Sequence, residues 1–169
     1  MAVKKVVKFG HPSLRTISEN IKDFSNIDQL IIDLFDTMYE FDGIGLAANQ
    51  IAITKRIFVV DISHTDECDS PLVFINGEIE KGDGSVVDSE GCLSLPDIRI
   101  NVERFNTIEY TYLDENLDQH TKKFSGLLST VIQHENDHLN GKIITDYATP
   151  ADLLKYDKAL KQMKSENER

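Results

Sequence analysis

The sequence predicts an α+β fold: mostly antiparallel sheets packed around a central helix, with one helix near the N-terminus and another at the C-terminus. Three observations predict it. Apolar residues recur at helical spacing in three separated stretches. The middle third instead carries short β-branched and aromatic runs divided by polar, glycine-containing turns. The order is helix, then strands, then helices, which places the two element types in separate blocks.

The first helix follows Asn26. Ile27, Leu30, Ile31, Leu34, Phe35 and Met38 hold helical spacing, with Asp28 and Asp33 expected on the opposite face. It is expected to end near Phe41, where Asp42-Gly43 supplies a stop signal. Strands are expected over 57–60, 72–75 and 107–113, and Asp114-Glu115-Asn116 resembles a hairpin loop. Helical periodicity returns at Gly126, with Leu127, Leu128, Val131, Ile132, Glu135 and Leu139 on one broad face and Gly141 as a C-terminal cap. After Pro150, the spacing of Leu153, Tyr156, Leu160 and Met163 describes a last amphipathic helix. No repeat or linker divides the 169 residues, so one domain over 1–169 is expected, with 151–169 as its C-terminal helix and tail.

Composition narrows the function classes. Hydrophobic residues make up 40% and charged residues 28%, with a net charge of −11. That surplus of negative charge opposes phosphate backbones and anionic lipid, so neither sequence-specific nucleic-acid binding nor a membrane partner is expected. The N-terminal stretch has no uninterrupted apolar run of the kind a secretory signal needs. Cys68 and Cys92 are expected as reduced thiols in a cytoplasmic protein.

The chemistry concentrates at His134-Glu135-Asn136-Asp137-His138, which is H-E-x-x-H inside the predicted helix. Histidines at i and i+4 project from one face about 6 Å apart at their β-carbons, so both imidazoles reach one ion. Glu135 lies beside the first of them, where its carboxylate meets bound water without itself being a ligand. The apolar residues upstream turn this face inward, and two inward histidines with a glutamate require a partner. An open catalytic site needs a third ligand. A third histidine six residues after His138 is excluded, because Ile144 stands there. A later carboxylate (Asp152, Asp157 or Glu166) and Cys92, in the glycine- and proline-bounded segment Glu90-Gly91-Cys92-Leu93-Ser94-Leu95-Pro96, both remain open on the residues alone.

Three segments together bear on that choice. Gly43-Ile44-Gly45-Leu46-Ala47-Ala48-Asn49-Gln50, Glu90-Gly91-Cys92-Leu93-Ser94 and Gln133-His134-Glu135-Asn136-Asp137-His138 resemble the three signature motifs of the peptide deformylases, in order and at similar spacing. The resemblance runs over nearly the whole chain and is nearest to the bacterial type I branch. It implies that Cys92, His134 and His138 bind the metal and that Glu135 is the catalytic carboxylate. It implies further that Gln50 and the Leu93 N–H donate to the substrate oxygen and that the Gly45 backbone lies along the bound peptide. Glu90 and Arg99 match a supporting pair near the metal loop and pocket. The implied substrate is the N-formyl-methionine end of a nascent polypeptide, and the implied cofactor is one divalent ion, iron(II) natively, with zinc, nickel or cobalt able to substitute.

The residue types suit that reaction independently. A divalent ion lowers the pKa of water towards about 7, and Glu135 can take the water's proton and deliver it to the departing amine. Ile44, Leu127, Thr130 and Val131 are expected to line the methionine pocket. Asp88 and Thr130 stand where the family often has apolar residues, and Ala52 replaces a common glycine, an exchange expected to be neutral. His11, His64, His120 and Cys68 are read as structural. Lys155, Lys158 and Lys161 form a basic stripe on the last helix, read chiefly as a solvated face, and the resemblance also suggests that this helix docks on the ribosome.

Overall fold

The computed structural model describes residues 3–167. Its order is a short 3-10 turn over Pro12–Arg15, α1 (Ile27–Glu40), β1 (Gly45–Ala47), a 3-10 turn over Ala48–Ile51, β2 (Ile57–Val60), β3 (Leu72–Asp83), β4 (Val86–Cys92), β5 (Leu95–Arg104), β6 (Thr107–Leu113), β7 (Gln119–Ser125), α2 (Gly126–Leu139), a 3-10 turn over Ile144–Tyr147, and α3 (Pro150–Asn167). Strands β1-β2-β3-β6-β7 form a five-stranded sheet, and β4-β5 form a separate hairpin. Every strand pairing is antiparallel. The α+β expectation holds. The last two residues of the expected 151–169 helix and tail lie outside the described residues.

Strand β2 explains the layering. Its four residues, Ile57-Phe58-Val59-Val60, are all buried. Successive side chains point to opposite faces. Ile57 and Val59 pack with Leu34 and Met38 of α1, while Phe58 and Val60 pack with Leu128, Val131 and Ile132 of α2. The sheet is thus covered on both sides, which is why the strand reads as a continuous apolar run. A third core joins Leu95, Ile98, Ile100 and Val102 of β5 to Leu160 and Met163 of α3.

Several local expectations change. Asp33 is buried, against its expected outward position; its Oδ1 accepts from Gln29 Nε2 at 2.8 Å, and Lys4 lies 3.8 Å from Oδ2. β3 runs to Asp83, well past the expected 75, because register shifts between Ile75 and Lys81 let the strand continue through an irregular stretch. Pro96, which bounds the Cys92 segment in sequence, lies in β5. The ladder pairs Cys92 with Leu95 and Glu90 with Ile100, so Pro96 falls within a bulge of a two-stranded sheet and forfeits no ladder hydrogen bond. Ala52 sits at φ 65°, the left-handed region, so a glycine there would be free of the strain that an alanine carries.

Helix ends follow the sequence closely. The N–H groups of Gly141 and Lys142 return to the carbonyls of His138 and Asp137, closing α2 with Gly141 at φ 75°. The same pattern closes α1, with Asp42 at φ 57° in the position glycine usually takes.

Candidate metal centre and catalytic cleft

Three elements converge on a cleft of about 840 Å³. α2 supplies His134, Glu135 and His138. The tight β4–β5 turn supplies Cys92, and the segment from Gly45 to Gln50 supplies the third wall. Donor atoms of Cys92, His134 and His138 all lie within 4.8 Å of one another. Cys92 Sγ is 3.3 Å from His138 Nε2, and the two imidazole centroids are 5.0 Å apart. One sulfur and two ring nitrogens at these separations match the reach of a single transition-metal ion.

The surrounding groups fit a cation. Burial disfavours a charged His134, yet the Glu135 carboxylate, Cys92 and Glu90 around it hold its pKa well above the usual imidazole value. A positive ion would answer the same concentration of negative donors. Burial, with His134 alongside, drives His138 well below the usual range, leaving a neutral ring able to ligate. Glu135 is 3% exposed, its Oε1 has no hydrogen-bond partner among the described residues, and burial lifts its pKa to about 7.

Behind the donors lies a buried polar chain. His134 Nδ1 meets Glu90 Oε1 at 2.9 Å, which leaves Nε2 for the cleft. Arg104 grips Glu90 through Nη2 and Nε at 2.8 and 2.9 Å, and reaches Asp137 through Nη1 at 2.6 Å. Tyr147 O–H also donates to Asp137, at 2.6 Å. Glu90 and Arg99 both line the cleft but hold different partners. Arg99 donates from Nε and Nη2 to the Ser89 hydroxyl and carbonyl at 3.0 and 2.8 Å. Strand alternation separates the two arginines: Arg104 falls on the buried side with Ile98, Ile100 and Val102, whereas Arg99 falls on the exposed side.

Gln50 is held by the Ala47 N–H on its Oε1 at 3.0 Å, which aims Nε2 at Ser94 Oγ, 3.2 Å away, and at Cys92 Sγ, 3.6 Å away. Asn49 Nδ2 donates to the His138 carbonyl at 2.5 Å, tying the motif helix to that segment. Gly45 faces Glu135 so closely that a β-carbon there would lie 2.8 Å from Oε2. Ile44, Leu93, Leu127, Thr130, Val131 and Asp88 line the same cleft.

The structure thus gathers every expected site residue, and it adds Arg104, Asp137, Tyr147, Ser94 and Asn49. Arg104 had a legible signal, since an arginine at a buried register of an alternating strand needs partners. Asp137 had another, three residues after His134 on the same helix. The alternative third ligands are occupied elsewhere: Asp152 accepts from the Thr149 N–H, Asp157 pairs with Lys161, and Glu166 accepts from Gln162. Among the residues read as structural, His11 accepts from the Ser13 N–H, His120 pairs with Asp114 at 2.6 Å, and the Cys68 thiol donates to the Ser70 carbonyl.

Residues 3–153 match the family model described as Polypeptide deformylase. A peptide deformylase of Xylella fastidiosa (strain M12) is 39% identical over 175 residues, covering 100% of this chain and 99% of the relative. The crystal structure of peptide deformylase from Thermus thermophilus superposes with a TM-score of 0.91 at 32% identity, covering 98% of this chain and 99% of that one. A peptide deformylase structure from Legionella pneumophila gives a TM-score of 0.88 at 33% identity, covering 99% of both chains.

Proposed function

The chain belongs to the polypeptide deformylase family, and from that premise we propose that it is a metal-dependent hydrolase that removes the formyl group from the N-terminal formyl-methionine of newly synthesised proteins. The products are formate and a free N-terminal methionine. The observation that carries the assignment to residues is the convergence of Cys92, His134 and His138 beside a buried, unpartnered Glu135 oxygen.

Cys92, His134 and His138 hold one divalent ion. A thiolate with two imidazoles accommodates iron(II), the expected native metal, and also zinc, nickel or cobalt. When bound, the ion supplies Lewis acidity that acidifies water and polarises the formyl carbonyl. Glu135 takes a proton from the attacking water, whose oxygen forms the new bond to the formyl carbon. As the C–N bond breaks, Glu135 returns that proton to the amine, which leaves as a neutral group. The Gln50 amide and the Leu93 N–H donate to the oxygen on which negative charge develops, and such donors act more strongly on the transition state than on the ground state.

The remaining residues bind and orient. Glu90 fixes the ring and tautomer of His134 through Nδ1, and Arg104 and Asp137 hold Glu90 in place. Arg99 braces the backbone at Ser89, next to the metal loop. Gly45 lets the peptide backbone pass close to Glu135. Ile44, Leu127, Thr130 and Val131 receive the methionine side chain, with Asp88 at the cleft edge.

Residues 1–169 act as one catalytic domain in the bacterial cytoplasm. No helix among the described residues is long and apolar enough to cross a membrane. Nascent formylated chains are the substrate partners, and Lys155, Lys158 and Lys161 on α3 offer a basic surface for docking near the ribosomal exit. α3 also contributes Leu160 and Met163 to the core, so this surface is better probed by charge reversal than by truncation.

The test offers metal-loaded protein matched formylated and unformylated methionyl peptides. Formate release from the formylated peptide alone is expected. Cleavage of internal bonds would assign a peptidase instead, and tight metal binding without turnover would assign a structural site.

A further inference from the structure

The N-terminal end of α2 is capped from outside its own segment. Ser125 precedes the helix but makes no side-chain capping bond, and the first turn contains no acidic residue. The exposed amide groups of a helix start need acceptors, and that end of the helix favours negative charge. Glu67, 60 residues away in the loop between β2 and β3, supplies both: its Oε1 and Oε2 accept from the Leu127 N–H at 2.9 and 3.1 Å.

Two further features pin the loop there. Gly126, at φ 63°, lies against the Glu67 carboxylate, and a β-carbon at that position would collide with Oε1. The adjoining Cys68 packs on the same core cluster as Leu127, Leu128 and Val131. The loop and the first turn of α2 are thus one packed unit.

We infer that Glu67 is a positioning residue for substrate selection, acting through Leu127. This rests on the deformylase reading above, in which Leu127 forms part of the methionine pocket. The capped amide belongs to that pocket residue, and the following turn carries Thr130 and Val131 into the same cleft. Releasing the cap lets the first turn fray, and a pocket wall that is ordered only part of the time contributes only that fraction of its binding. The donors of the metal centre lie two and three turns further along and are held by Asn49, Glu90 and Arg104 instead.

The test compares kcat/KM for a formyl-methionyl peptide with that for the matched formyl-alanyl peptide. This ratio is independent of the fraction of enzyme that is folded, so a purely structural role would leave it unmoved. Glu67→Ala, and Glu67→Asp with its shorter reach, are expected to lower the ratio about five-fold, the size of a typical lost cap, with KM for the methionyl peptide raised and kcat and metal content kept. Glu67→Gln retains an acceptor oxygen and should restore most of the preference. Asp66→Ala, which alters the neighbouring exposed carboxylate, should match the wild type. An unchanged ratio in both Glu67→Ala and Glu67→Asp overturns the inference. Absence of formate from the wild type itself would instead overturn the functional reading beneath it.

Discussion

Glu135 and Gly45 face each other across the cleft, and each is open to a single-residue test. Glu135→Gln keeps the shape and leaves the three donor residues untouched, so metal content should stay at one ion per chain while formate release falls by a factor on the order of 10² to 10⁴. Equal losses of metal and activity would show the carboxylate acting through the ion site alone. Gly45→Ala places a methyl group 2.8 Å from Glu135 Oε2 and 3.1 Å from Val131 Cγ1. The backbone there has no need of glycine's extra freedom, so the fold should survive, with a stability loss of about 1–3 kcal/mol from overpacking. Displacing a catalytic group by even an ångström costs turnover on the order of 100-fold. At this scale the sequence was informative wherever chemistry restricted the choice of residue. H-E-x-x-H has few other uses, and Cys92 was supported by its glycine-bounded loop and by the flanking motifs. It says nothing of which arginine grips Glu90: strand alternation carries Arg99 outward and brings Arg104 in.

The β4–β5 hairpin is the element least legible in the sequence. Polar residues, Gly91 and Pro96 disguise it as a loop, because the usual depletion of proline from strands assumes neighbours on both edges. β2, α1 and α2 were legible for the opposite reason. Each buries a face or stripe wide enough to stamp its period on the sequence, and the closing turns at Asp42 and Gly141 carry recognisable stop residues. The hairpin's tie to α2 is the Glu90–Arg104–Asp137 chain, with Arg104 only 6% exposed. Arg104→Leu would leave the buried Glu90 and the partly buried Asp137 without their cation. Breaking a buried pair in this way typically costs about 3–5 kcal/mol, readable by chemical denaturation. Arg104→Lys should recover only part of it, since one ammonium cannot reproduce the forked grip on Glu90 while also reaching Asp137. Stability within about 0.5 kcal/mol of wild type in Arg104→Leu would show that the chain is incidental.

Across the whole molecule, the proposed metal centre would add a second link, beside the Arg104 chain, between two apolar cores. His134 and His138 ride on α2, which is buried against the five-stranded sheet, while Cys92 packs with the core shared by β5 and α3. An ion held by all three links those cores, so removing it should loosen the molecule as well as silence it. Free metal at 100 times its dissociation constant adds about 2.7 kcal/mol to stability, so chelation should lower the melting temperature by roughly 5–10 °C for a chain of this size. Reloading should restore both stability and formate release. The most direct test of the shared site is X-ray absorption at the metal edge of zinc-loaded protein. One sulfur neighbour at about 2.3 Å and two imidazole nitrogens at about 2.0–2.1 Å are expected, with the sulfur lost in Cys92→Ser. A spectrum from wild-type protein containing only nitrogen and oxygen neighbours would contradict the account.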